Sequence, residues 1–194
     1  MGTSNGLISG TRSRQFDAVG QRVRQIAGGL HRLGVRQGDC VCILMRNDIT
    51  FLEVTYAVML IGGYAVPINW HFKADEVAYV VGDTGTRVLV GHADLMHALG
   101  TAIPNDVRQL SVEVPREIAT AFGVQPVSPA TGENFEAWLE IQEPCDGPTM
   151  PAPASMIYTS GTTGHPKGVR RDPPSPEQIA RNERVRATVY GLRP

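Results

Sequence analysis

With 194 residues, 42% hydrophobic and 19% charged, the chain has the make-up of one ordinary globular domain, or one and a half. A net charge of −1 offers no basic footprint for nucleic acid or for an anionic membrane. No apolar run approaches the roughly 20 residues of a membrane span, and no secretory signal is visible at the amino terminus. Residues 1–15 read as a polar lead-in with one apolar pair, Leu7 and Ile8, suited to a strand. Phe16, Val19, Val23, Ile26, Ala27, Leu30 and Leu33 then recur at three- and four-residue steps. That spacing predicts an amphipathic helix stopped by Gly34. Gly28 and Gly29 inside it cost about 1–2 kcal/mol of helix propensity relative to alanine, which implies close packing there.

Gly38 and Asp39 turn the chain into an apolar run over 40–45, predicted as a buried parallel strand. Residues 50–61 are apolar except for Glu53 and Thr55 and read as a helix buried on most sides. Gly62 and Gly63 end it, and 64–68 forms the next strand. A short helix opening near Lys73 to Asp75 turns Val77, Val80 and Val81 inward and closes at Asp83, Thr84 and Gly85. A strand over 87–90, a helical stretch over 92–100 and a strand over 110–114 follow. The alternation predicts an α/β fold with a doubly wound, mostly parallel sheet and flanking helices. From Gly123 to Pro153 the prolines predict a long surface connection around one short helix, 135–141.

Cys40 and Cys42, two apart in a strand, share a face and read as small core residues of a cytosolic protein. Cys145 completes no disulfide framework, and no metal-ligand spacing is present. His31, His92 and His97 are expected at the surface or at helix ends.

Residues 155–170 carry the chemistry. An apolar strand ending at Tyr158 leads into Thr159, Ser160, Gly161, Thr162, Thr163 and Gly164, and Lys167 and Gly168 lead out in extended form. Glycines allow a positive φ and close approach to a ligand, and successive backbone N–H groups there form a nest for an anion. The hydroxyls add rotatable donors and Lys167 a mobile positive charge, a set that suits the β- and γ-phosphates of ATP. The stretch is not a Walker loop, which needs a lysine followed by Ser or Thr opening a helix.

The loop instead resembles the phosphate-binding signature of the adenylate-forming superfamily, T-S-G-T-T-G-x-P-K-G, met at every fixed position by residues 159–168. Chance agreement at a given position is on the order of 10⁻¹⁰ from average composition. Three further segments carry the same resemblance in the same order: Gly34-Val35 with Gly38-Asp39 and Val41, then residues 62–69, then Asp83-Thr84-Gly85 with Arg87-Val88-Leu89-Val90. The resemblance covers residues from about 16 to 171. Residues 172–194 read as a turn plus an amphipathic helix, with Ser175 capping at Pro176 and Glu177 placed to pair with Arg181.

The resemblance implies ATP- and magnesium-dependent activation of a carboxylic acid to an acyl-adenylate, followed by transfer to coenzyme A. Thr159, Ser160, Gly161, Thr162, Thr163, Gly164 and Lys167 are the residues it assigns to phosphate binding. It assigns no catalytic residue here. The family's later segments find no match: the aromatic stretch beside the adenine, the T-G-D that holds the ribose, the hinge and the small domain with its catalytic lysine. The expectation is therefore the amino-terminal portion of a longer acid–CoA ligase-like enzyme, cytoplasmic, inactive alone and prone to self-association. The alternative is a short non-catalytic protein that binds a nucleotide or a partner chain.

Overall fold

The computed structural model describes residues 5–125, 131–147, 150, 151, 153, 155–159 and 166–190. The polar lead-in forms an antiparallel hairpin of β1 (Gly6–Ser9) and β2 (Arg12–Gln15), which runs directly into helix α1 (Phe16–Arg32). Gly34 follows the helix at φ 89°, a left-handed geometry open to glycine at no steric cost. Next come β3 (Cys40–Leu44), α2 (Ile49–Leu60), β4 (Tyr64–Pro67), α3 (Ala74–Thr84) and β5 (Val88–His92). They are followed by α4 (Ala93–Ala98), β6 (Arg108–Val112), α5 (Arg116–Phe122), β7 (Glu133–Asn134) and α6 (Phe135–Glu140).

Five of these strands form one parallel sheet in the order β4-β3-β5-β6-β7. Side chains alternate strictly along β3. Val41 and Ile43 enter one apolar layer with Ile26, Leu30, Val54, Val58 and Phe135, which brings α1, α2 and α6 to that face. Cys40, Cys42 and Leu44 enter the other with Val77, Val80, Val81 and Met96 of α3 and α4. The strand order reverses at β3, and the connecting helices change face with it. This is the doubly wound arrangement that right-handed crossovers produce. Cys40 and Cys42 are buried free thiols, and burial pushes Cys42 up to about 12.

Helix α2 is held by one buried charge as well as by apolar contact. Glu53 is fully buried and meets Arg14 of β2 and Arg22 of α1, while Arg22 continues to Glu136 of α6. A buried carboxylate without such partners would be strongly destabilising. Asp48 caps the helix by accepting from the Ile49 amide at 2.7 Å.

The region expected as a surface connection contributes to the core instead. Phe135, Trp138 and Leu139 of α6 are buried against α1 and β6. His92 stands at a helix end as expected, yet it is fully buried rather than at the surface. Beyond the sheet, β8 (Tyr158–Thr159) pairs antiparallel with β9 (Lys167–Gly168), and α7 (Pro176–Tyr190) follows. Ser175 and Gln178 exchange backbone-to-side-chain bonds at its start, the reciprocal form of an N-terminal cap. The Glu177–Arg181 pair does not form.

Candidate functional site

Of the seven expected site residues, Thr159 and Lys167 are described, and both are exposed. They are direct partners across the β8–β9 ladder, as are Tyr158 and Gly168. Directly opposed side chains share a face with Cβ atoms about 5 Å apart. The hydroxyl of Thr159 and the stem of Lys167 therefore leave from one side at the base of the loop. Ser160, Gly161, Thr162, Thr163 and Gly164 lie outside the described residues. Lys167 enters no ion pair among the described residues.

The base of this hairpin is anchored to the sheet. The Met156 amide donates to the Ala65 carbonyl of β4 at 3.0 Å, and Met156 and Tyr158 join the α3-side apolar layer. The Tyr158 hydroxyl donates to the Asp83 carboxylate at the end of α3. Burial, and after it that bond, push Tyr158 above the ordinary tyrosine range. A Cβ on Gly168 would lie 2.4 Å from Met156 Cε and 2.7 Å from the Tyr158 ring, so this position requires glycine for close approach. After the hairpin, the Arg171 carbonyl accepts from the Tyr64 hydroxyl at 2.9 Å. The Arg170 guanidinium lies 4.9 Å over the Tyr64 ring and 3.3 Å from Cys40 Sγ. Arg170 thus docks through its side chain and Arg171 through its carbonyl.

A second polar group, which sequence reasoning did not single out, fills the carboxyl ends of β3 and β5, where the strand order reverses. Arg46 binds Asp94 through both terminal nitrogens at 2.8 and 3.1 Å and lies 5.2 Å from the rings of Trp70 and Phe122. Its backbone N–H donates to His92 Nδ1 at 3.2 Å. Asp48 faces His92 Nε2 at 3.7 Å and accepts from Arg12, which also reaches Glu117.

Burial works against the Asp48 anion. His92, Arg12 and the Ile49 amide outweigh it and hold this carboxyl below the usual carboxylate range. A depressed pKa contributes stability that is present above the unfolded value of about 3.9 and is lost as pH falls through the folded value. Asp48→Asn should therefore cost stability at neutral pH and flatten the loss below about pH 4. Urea midpoints at pH 7, 5 and 3.5 measure this, and a deficit of equal size at all three would contradict it.

Residues 6–171 match the family described as AMP-binding enzyme. The chain belongs to that family. A long-chain-fatty-acid–CoA ligase of Mycobacterium tuberculosis is 31% identical over 80% of this chain and 28% of its own length. A fatty acid–[acyl-carrier-protein] ligase of Streptomyces coeruleorubidus is 29% identical over 86% of the chain and 30% of the relative. The structure of an anthranilate CoA ligase in complex with anthranoyl-AMP superposes with a TM-score of 0.71 at 23% identity. It matches 96% of this chain and 33% of that one, and at this identity it speaks for the fold alone. The AMP-binding chain thus spans under a third of the length of these relatives.

Proposed function

We propose that the natural-length protein is an acid–CoA ligase that activates a fatty or aryl carboxylic acid with ATP in the cytoplasm. The acid's carboxylate oxygen attacks the α-phosphorus and displaces pyrophosphate. The thiol of coenzyme A then takes the acyl group from the acyl-adenylate and releases AMP. Thr159, Ser160, Gly161, Thr162, Thr163, Gly164 and Lys167 bind the β- and γ-phosphates and steady the departing pyrophosphate. Their contribution is positioning and charge stabilisation, the main currency of phosphate-handling sites.

The observation that carries this reading is the Thr159–Lys167 pair at the base of the signature loop, exposed together and without a carboxylate partner for Lys167 among the described residues. An unpaired ammonium beside a hydroxyl suits a polyphosphate. Among the described residues no three His, Cys, Asp or Glu side chains gather to hold a metal ion. In this reading magnesium accompanies ATP as a counter-ion to its phosphates. No helix among the described residues is long and apolar enough to cross a membrane.

The test is ATP–pyrophosphate exchange by the natural-length protein over a panel of fatty and aryl acids. Exchange that appears only with an acid present is expected. Nucleotide binding with no exchange for any acid would favour a non-catalytic binding protein. The isolated 194-residue chain should be inactive and, through exposed Ile8, Phe16 and Tyr56, self-associating in light scattering.

A further inference from the structure

The signature loop can act only if its two ends are held at a set separation and angle. Among the described residues the incoming end packs into the α3-side apolar layer and has three further attachments. The Met156 amide bonds to Ala65 of β4, the Tyr158 ring packs against Gly168, and the Tyr158 hydroxyl bonds to Asp83. The first ties this end to the sheet, and the second lies within the hairpin. The third is, among the described residues, the hydrogen bond that ties this end to a helix, and it uses a residue 75 positions away in sequence.

We propose that Asp83 is a positioning residue of the phosphate loop, acting through the Tyr158 hydroxyl to set the direction in which Thr159 and Lys167 present their side chains. The proposal rests on the phosphate-loop reading above. The geometry argues for it in two ways. Tyr158 is buried, so its hydroxyl needs a partner, and a carboxylate accepts a shorter and stronger bond than a neutral oxygen. Tyr158 is also the residue immediately before Thr159 and lies opposite Gly168, whose Cα has room only for a hydrogen beside the ring. A shift of the ring therefore moves both strands of the hairpin at once. Asp83 itself is exposed and packs no core, so a purely structural account gives it little to do.

The variants are Asp83→Ala, Asp83→Asn, Tyr158→Phe and the double Asp83→Ala/Tyr158→Phe, in the natural-length protein. Two readouts are taken: amide hydrogen exchange at Thr159, Lys167 and Gly168, and the ATP dependence of acid activation. Asp83→Ala and Tyr158→Phe should each speed hairpin exchange by about tenfold while the amides of β3 stay unchanged. They should also lower kcat/KM for ATP by about tenfold without changing KM for the acid. Asp83→Asn keeps an acceptor oxygen and should recover most of both, and the double variant should be no worse than either single one. Hairpin exchange equal to wild type in Asp83→Ala would overturn the proposal, as would additive losses in the double variant. An unmodified protein that shows no ATP-dependent activation would instead count against the phosphate-loop reading, and the exchange data would still decide the role of Asp83.

Discussion

Gly28→Ala is expected to destabilise the fold by about 2 kcal/mol or more, although alanine is the better helix former by about 1 kcal/mol. The reason is backbone-on-backbone contact. A Cβ on Gly28 would lie 2.1 Å from the Glu143 carbonyl oxygen and 3.2 Å from the Cys145 nitrogen. The Cys145 amide also donates to the Arg24 carbonyl at 2.9 Å, one turn earlier on α1, so this segment cannot withdraw without losing a bond. Gly29 makes the neighbouring contact, where a Cβ would meet the Trp138 ring at 2.4 Å. The same helix supplies the control. Gly20 has nothing within 4 Å of its would-be Cβ, so Gly20→Ala should stabilise by up to about 1 kcal/mol. Urea unfolding at unchanged m-value measures both variants. Equal stabilities for Gly28→Ala and Gly20→Ala would rule out the packing account.

That pair of glycines also marks how far sequence reasoning reached. An unfavourable Gly-Gly inside an amphipathic helix implied a close neighbour, and one is present. What the pattern could not say is which segment approaches, because the partners lie more than 100 residues away, in a stretch read as a surface connection. The described prolines there, Pro144, Pro151 and Pro153, lie in irregular backbone, and a proline pattern is silent about burial. Phe135, Trp138 and Leu139 recur with helical spacing, but a six-residue helix is too short for periodicity to separate a core face from a surface one.

The sheet was legible for a physical reason. Strands buried on both faces read as continuous apolar runs, and 40–45, 64–68 and 88–90 all do so. The pieces that sequence reasoning did not single out are those that face water or carry charge. Strand β2 is Arg-Ser-Arg-Gln, and its place is set by Arg12 reaching Asp48 and Glu117 and by Arg14 reaching Glu53. Helix α5 has one buried isoleucine and one buried alanine. The Arg46–Asp94 and Asp48–His92 contacts likewise join polar side chains from separate strand ends, a pairing that only the strand order brings together. At the candidate site the residue types alone suggest the chemistry proposed for the loop. Its anchoring was not, since Asp83 first appeared as part of a helix-ending turn and Tyr158 as an apolar strand residue.

Lys167→Ala in the natural-length protein is expected to lower kcat/KM for ATP by about a hundredfold or more, the scale on which a single preorganised donor to developing charge contributes. Removing the ammonium leaves Thr159 and the loop backbone as donors, so binding is weakened rather than abolished. How the loss divides is informative. If Lys167 serves the departing pyrophosphate, whose charge grows as the bond to the α-phosphorus breaks, kcat should fall by most of the hundredfold. If it holds ATP equally in the ground state, KM should rise instead with kcat nearly unchanged. Lys167 is exposed and has no carboxylate partner among the described residues, so its charge is available to either role. Lys167→Arg should restore part of the rate, because the charge remains while the reach and fork geometry change. Single-turnover measurements of acyl-adenylate formation at saturating ATP separate the two cases. A Lys167→Ala enzyme with wild-type pyrophosphate exchange would remove this lysine from the mechanism altogether.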